Sequence, residues 1–350
     1  MTYIAKPRVH HPALERNELG LTRRDYEGSL STLCAGCGHD SITAAIVQAF
    51  FELSVPPHRV AKLSGIGCSA KTPAYFLKEA HGFNSVHGRM PSVSTGAIAA
   101  NRDLVYIGIS GDGDSLSIGL GQFCHAIRRG IDMLYVLENN GVYGLTKGQF
   151  SASADLGSKS KRGEPNAQPP IDPVVLAIQL GATYVARSFS GDKAQLVPLL
   201  KAGLSHKGFA FIDIISPCVT FNDHTGSTKS YRHTRDHLHD LAPVDFVPLR
   251  TSIETTLEKG VTEVAMHDGS VVRFRRVDSG YNPTDRARAL SHYTELTSAG
   301  EVVTGLLFVD PSGEDYHDQN RTVARPLTEV PYEELCPGSA ALDRLMETWR

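Results

Sequence analysis

The stretch that decides the fold runs from Leu104 to Asn140, LVYIGISGDGDSLSIGLGQFCHAIRRGIDMLYVLENN. Leu104 to Ile109 is a short apolar run that ends in a Gly-rich turn, as a buried strand of a parallel sheet does. Ser115 to Arg129 reads as a helix that stops before Gly130, and Met133 to Leu137 reads as the next strand. Strand, loop, helix and strand in this order make a βαβ unit. Asp112 and Asn140 therefore both lie just past strand C-termini, the edge at which open α/β sheets bind ligands.

Working outward, Val60 to Leu63 and Phe209 to Ile215 repeat the buried-strand pattern, and Gly181 to Arg187 reads as a shorter strand. Helical spacing marks Ser41 to Phe50, with Asp40 or Ser41 available to cap its first amides, then Ile171 to Leu180 and Ala194 to Leu204. The fold class is α/β with a mostly parallel central sheet, followed by an irregular C-terminal tail. Residues 1–31 are polar without a clear period and read as an arm over this subunit or a neighbour. Residues 32–222 carry the ordered pattern, and 223–350 form a C-terminal extension that packs on the core or on a partner. Ser151 to Asp172 is rich in Ser, Gly, Lys and Pro and reads as an active-site loop or a partner-contacting excursion. Ala265 to Arg275 alternates like a hairpin about Asp268-Gly269.

A chain of 350 residues with 41% hydrophobic and 21% charged residues is ordinary for a globular protein with a large core. The formal charge of −3 gives no electrostatic footprint for nucleic acid, and Lys159-Ser160-Lys161-Arg162 reads as a solvated loop. No apolar run is long enough to cross a bilayer, and the N-terminus lacks the regions of a secretory signal, so a cytoplasmic location is expected. Six cysteines are too few for a disulfide scaffold, which leaves metal ligation to consider.

Magnesium favours hard oxygen ligands and commonly shares its shell with phosphate. Asp112 offers a carboxylate, Asn140 an amide oxygen, and Val142 a main-chain carbonyl two residues on. Gly111 and Gly113 let the backbone approach a ligand closely, ahead of helix amides that suit phosphate. No Gly-x-Gly-x-x-Gly opens a helix and no P-loop is present, which disfavours a dinucleotide or nucleoside triphosphate. Gly111 to Asp114 followed by Asn139-Asn140 thus favours thiamine diphosphate.

Cys34-Ala-Gly-Cys37 alone fits a redox dithiol, half a zinc site or two cluster ligands. Gly65-Ile-Gly-Cys68-Ser and Ser216-Pro-Cys218 each put one cysteine at the end of a predicted strand, on the edge that carries Asp112. Four thiolates suit zinc as well as iron and sulfide. Context favours a 4Fe–4S cluster, which can take electrons from thiamine chemistry where zinc would be idle. Cys124 and Cys336 read as structural thiols.

With these motifs the stretch from Leu33 to Asn222 resembles the β subunits of the 2-oxoacid:ferredoxin oxidoreductases, most closely the 2-oxoglutarate type. The resemblance rests on Cys34-Ala-Gly-Cys37-Gly-His39, Gly65-Ile-Gly-Cys68-Ser, His87-Gly88-Arg89, Gly111-Asp-Gly-Asp114, Asn139 to Gln149 and Ser216-Pro-Cys218. The family usually has proline where Ala35 stands.

The resemblance implies that Cys34, Cys37, Cys68 and Cys218 hold a 4Fe–4S cluster, and that Asp112, Asn140 and the Val142 carbonyl hold magnesium on thiamine diphosphate. Gly67, His87, Gly88, Arg89, Gly111, Gly113, Asp114, Tyr143, Gly144, Leu145 and Thr146 are expected around the cofactor. An α subunit, often fused to a γ-like domain, is expected to supply the glutamate that activates the cofactor and part of the coenzyme A site. Ferredoxin is the expected electron acceptor.

His87 is expected to face the cofactor or substrate, and Arg89 to steady the phosphate-proximal loop. A dicarboxylate such as 2-oxoglutarate needs a cation for its distal end, whereas pyruvate needs a small apolar wall. Lys71 is the candidate cation, and Leu145 with Thr146 the opposite wall. Another small-molecule 2-oxoacid, or a thiamine-dependent decarboxylase without redox function, are the alternative readings.

Overall fold

The computed structural model describes residues 11–159, 163–242, 244–247, 261–265, 270–275, 281–325, 329–336 and 338–349. The start of the N-terminal arm, residues 160–162 of the Lys/Arg cluster and the Asp268-Gly269 turn lie outside them.

Helix α1 (Gly38–Glu52) is followed by strands β1 (Val60–Ser64) and β2 (His81–Asn84), helix α2 (Met90–Ala100), strand β3 (Val105–Gly111), helix α3 (Leu120–Arg128) and strand β4 (Met133–Asn139). A small ribbon, β5 (Val142–Tyr143) with β6 (Gln149–Phe150), precedes α4 (Pro173–Leu180), β7 (Tyr184–Phe189), α5 (Lys193–Ser205) and β8 (Phe209–Ile215). The C-terminal region adds α6 (Tyr231–His237), β9 (Leu238–Ala242), β10 (Val244–Val247), β11 (Val261–Ala265), β12 (Val271–Arg275), α7 (Arg286–Ser298) and β13 (Val302–Val309).

The main sheet has eight strands in the order β2-β1-β3-β4-β8-β7-β13-β9. From β2 to β7 every pairing is parallel. Strand β13 then runs antiparallel to β7 and parallel to β9, so the extension after residue 222 completes the sheet as well as covering it. Because side chains alternate along a strand, each strand buries one set on each face. Leu134 and Val136 of β4 pack with Ile46 and Phe50 of α1 and Leu196 and Leu199 of α5. Met133, Tyr135 and Leu137 pack on the opposite face with Phe123 of α3, Val174 and Ile178 of α4 and Tyr293 of α7.

Several boundaries differ from the sequence expectation. Helix α1 begins at Gly38, and its N-cap is Cys37 rather than Asp40 or Ser41. The expected helix from Ser115 to Arg129 is broken: Gly113–Ile118 forms a π-helical turn, closed by the Gly119 amide on the Asp114 carbonyl at 2.9 Å, and α3 starts only at Leu120. The extra residue per turn widens the backbone beside Asp112, a place where such turns recur. Strand β4 continues through Glu138 and Asn139, and a charged residue inside an otherwise apolar strand is what a hydrophobic run cannot reveal. Residues 261–265 and 271–275 form the antiparallel pair expected of the hairpin. In the arm, Tyr26 is fully buried and its hydroxyl accepts from Asn17 Nδ2 at 2.8 Å, so residues 17–26 pack on this subunit.

Candidate active site

Parallel order puts the C-termini of four neighbouring strands, β1, β3, β4 and β8, on one edge. Chain continues from them into Gly65–Cys68, Asp112–Asp114, Asn140–Gly144 and Ser216–Cys218. The start of α1, carrying Cys34 and Cys37, meets the same edge: the Gly38 amide donates to the Pro217 carbonyl at 3.4 Å. His39 Nδ1 lies 2.6 Å from Ser216 Oγ and 3.5 Å from Glu138 Oε2.

Asp112 is buried, and Gly141 N (2.9 Å), Ser153 Oγ (2.5 Å) and Ser151 Oγ all donate to its Oδ2. Among the described residues no donor is drawn to Oδ1, which is left as a hard, anionic ligand atom. Asn140 Oδ1 accepts from the Val142 amide at 3.0 Å and keeps a second lone pair. The Asn140 carbonyl accepts from Asn222 Nδ2 at 2.8 Å, so residue 222 ties the far end of the ordered region to this turn. One carboxylate and one amide oxygen on adjacent loops fit a hard divalent cation with phosphate oxygens completing its shell. Among the described residues no group of three or more His, Cys, Asp or Glu side chains is gathered for a metal ion.

Asp114 behaves differently. Its Oδ1 accepts from Gly88 N (2.6 Å), Ile66 N (3.2 Å) and His87 Nδ1 (2.5 Å), and its Oδ2 from Ser110 Oγ at 2.7 Å. The carboxylate is saturated with protein donors and gathers the β1, β2 and β3 loops. His87 is thereby fixed with its ring edge-on to Tyr143, centroids 6.1 Å apart, and its side chain remains 30% exposed. Tyr143 donates to the Gly113 carbonyl at 3.0 Å, and a Cβ on Gly113 would stand 2.4 Å from the tyrosine ring. Gly113 is thus required for close approach to a side chain.

Arg89 is not part of this knot: its guanidinium is exposed and donates to the adjacent Gly88 carbonyl at 3.4 Å. Thr146 Oγ1 donates to Gln149 Oε1 at 2.6 Å, and Leu145 is half exposed beside it. Gly67 takes φ +135° before Cys68, and Gly111 packs against Ser69 Oγ.

A Cβ placed on Gly144 would lie 3.3 Å from Cys68 Sγ and 3.7 Å from Cys218 Sγ. Thr220 Oγ1 donates to Cys34 Sγ at 3.6 Å. Burial pushes the Cys37 thiol up to about 12, an amide hydrogen bond from His39 opposes this, and negative charge on Glu138 and Cys218 adds to it. Cys68 is raised by burial and then by Cys218, with Lys71 pulling it back. Cys218 is also raised by burial, and Cys34 adds to the shift. The four sulfurs therefore sense one another's charge, and Lys71 stands within electrostatic reach of Cys68. All six cysteines are free.

Sequence reasoning missed Glu138. It is fully buried on the α1 face, accepts from Thr72 Oγ1 at 3.0 Å on both oxygens, and burial raises its pKa well above the carboxylate range. Burial likewise lowers His39 to about 4. The two side chains, 3.5 Å apart, sit behind the cysteines, and burial disfavours the charged form of each. Alternation through β4 to Glu138 was the available signal.

A doubly wound sheet with Asp112 and Asn140 at adjacent strand ends places them at the ligand-binding edge of an open α/β fold. Residues 65–214 match the family described as the thiamine pyrophosphate enzyme, C-terminal TPP binding domain. A 2-oxoacid:ferredoxin oxidoreductase subunit beta from Sulfolobus sp is 43% identical over 227 residues, covering 65% of this chain and 73% of the relative. The 2-oxoglutarate synthase subunit KorB of Methanocaldococcus jannaschii is 36% identical over 189 residues, covering 54% of this chain and 69% of the relative. Among solved structures, 2-oxoglutarate:ferredoxin oxidoreductase from Magnetococcus marinus, with 2-oxoglutarate, coenzyme A and succinyl-CoA bound, matches with a TM-score of 0.71 at 28% identity, over 89% of this chain and 91% of that one. This chain belongs to the β subunits of the 2-oxoacid:ferredoxin oxidoreductases.

Proposed function

We propose that this chain, with an α-type partner subunit, oxidatively decarboxylates 2-oxoglutarate with coenzyme A to succinyl-CoA and carbon dioxide, passing two electrons to ferredoxin in the cytoplasm. The observation that carries this reading is the turn from Asn140 to Gly144. One end presents the amide oxygen of Asn140 beside Asp112, and the other lies against the sulfurs of Cys68 and Cys218. A diphosphate site and a thiol site thus share five residues of backbone, the short separation that electron transfer between them demands.

Thiamine diphosphate bound here supplies an electron sink for decarboxylation, and a 4Fe–4S cluster supplies one-electron steps. Asp112 Oδ1, Asn140 Oδ1 and the Val142 carbonyl hold the magnesium, while Cys34, Cys37, Cys68 and Cys218 hold the cluster. Gly111, Gly113 and Gly88 let the loops around the cofactor pack closely on Ser69, Tyr143 and Gly119. Asp114 keeps His87 oriented with its ring edge-on to Tyr143, leaving part of the imidazole exposed toward the substrate. Lys71 neutralises the distal carboxylate of the substrate, opposite Leu145 and Thr146. The partner subunit supplies the glutamate that activates the cofactor.

Anaerobic copurification with the coexpressed partner tests this. Iron and acid-labile sulfide near four of each per chain, with bound thiamine diphosphate and 2-oxoglutarate-dependent ferredoxin reduction, is the expected result; zinc at the cysteines or faster turnover of pyruvate would overturn it. Lys71→Ala is expected to raise KM for 2-oxoglutarate about ten-fold or more, the scale of a lost charge-assisted contact, while leaving cluster content unchanged.

A further inference from the structure

Behind Asp112 a buried line of polar groups crosses the sheet into the C-terminal region. Ser153 Oγ lies 2.5 Å from Asp112 Oδ2 and 2.8 Å from Asn139 Oδ1, so its single proton is shared between two acceptors. Asn139 Nδ2 donates to Asp213 Oδ1 at 3.1 Å. Asp213 Oδ2 accepts from Arg187 Nε at 2.7 Å, and the two residues are directly opposite in the β7–β8 register. Arg187 continues to Tyr293 Oη through Nη1 and to Asp172 Oδ1 at 3.3 Å, and the Tyr293 hydroxyl donates to Asp172 Oδ2 at 2.6 Å. Ser153, Asn139, Asp213 and Tyr293 are all buried, with Asp213 and Tyr293 at 0% exposure.

So many desolvated polar groups in series are costly unless every partner is in place. Their alternation explains the path. Asn139 and Asp213 project from the same sheet face as Tyr135 and Phe211, the face that α4 and α7 cover. The line ends on the one Asp112 oxygen that the protein itself occupies.

We infer that the chain of hydrogen bonds from Tyr293 through Arg187, Asp213, Asn139 and Ser153 orients the Asp112 carboxylate, so that Oδ1 is presented to the metal and α7 is a positioning element of the magnesium site. The inference rests on the reading above that Asp112 is a magnesium ligand. Ser153 and Tyr293 are positioning residues, since each acts through another group. Outer partners of metal ligands commonly set affinity by about 10–100-fold.

The test uses the complex with its partner subunit, stripped of metal and cofactor. Thiamine diphosphate retained after gel filtration is measured against magnesium concentration for the parent, Ser153→Ala and Tyr293→Phe, alongside the melting temperature of each cofactor-free complex. The expected result is a half-saturating magnesium concentration raised about ten-fold by Ser153→Ala and less, in the same direction, by Tyr293→Phe. Turnover at saturating magnesium should return close to the parent value, which a merely unfolded fraction would not do. Unchanged magnesium dependence in both variants overturns the inference, and so does a shift confined to Ser153→Ala, because Asp112 would then be held without α7. A parent complex that retains no thiamine diphosphate at any magnesium concentration overturns the underlying reading instead, and the inference falls with it.

Discussion

Two aspartates separated by one glycine have opposite duties, and their donors decide which is which. Asp112 keeps one oxygen free, whereas Asp114 is surrounded by two amides, an imidazole and a hydroxyl. Spacing identifies both as acidic residues at a strand end, and the separation is made chiefly by Ile66, His87 and Gly88 arriving from other loops. His87→Ala is expected to lower kcat about 100-fold or more if the imidazole moves a proton, with cofactor content unchanged; turnover equal to the parent would show that His87 only packs. A third carboxylate, Asp132, gives a test of pH dependence. Burial raises Asp132 to about 6, opposed by its hydrogen bond from the Gly208 amide at 3.0 Å. The folded chain then binds the proton more tightly than the unfolded one, so the ionised group costs stability above pH 6 and the cost fades as pH falls toward the ordinary carboxylate range. Asp132→Asn should melt higher than the parent at about pH 7.5 and converge with it as pH falls below about 4.

Among the elements, the strands are the most legible. Val60, Leu134 and Ile212 lie in β-branched or leucine-rich runs bounded by glycine or polar turns, and β8 spans the same residues that its pattern implies. Helix starts are less so, because local propensity competes with the site. Cys37 caps α1 although Asp40 and Ser41 are better capping residues, since α1 must begin early enough to bring Cys34 and Cys37 to the sheet edge. The π-helical turn after Asp112 was similarly invisible, its residues having no composition that distinguishes it from the first turn of α3. Helix α4 shows local and long-range demands agreeing: Asp172 accepts from the Val174 and Val175 amides at 2.8 and 3.3 Å and also receives Tyr293 and Arg187. Asp172→Ala should lose the cap and one end of the buried network, about 2–4 kcal/mol together, seen as a lower denaturant midpoint.

At the scale of the whole molecule, the last third of the chain is where sequence reading ended and the sheet did not. Val303, Leu306 and Leu307 of β13 are fully buried, Tyr281 and Tyr293 pack with Val303 and Leu307, Leu306 packs on the opposite face, and the strand closes the edge that β7 would otherwise expose. Six of its eight residues are apolar and as strand-like as β8, yet no recognisable motif surrounds them, so pattern without chemistry left their place in the sheet open. Truncation after residue 280 is expected to yield insoluble chain even with the partner present, because it uncovers a β7 edge and an apolar face. The four cysteines at the sheet edge arrive from the segment before α1, the end of β1 and the end of β8, places far apart in the order of synthesis. Cys218 can join Cys34, Cys37 and Cys68 only once β3, β4 and β8 have been made and paired beside β1, so nearly the entire domain must leave the ribosome before all four thiols stand together. On the proposed reading of these thiols as cluster ligands, iron bound per chain would measure completed folding, and a chain stalled before β8 forms would offer the cell's iron–sulfur delivery machinery an incomplete set of ligands.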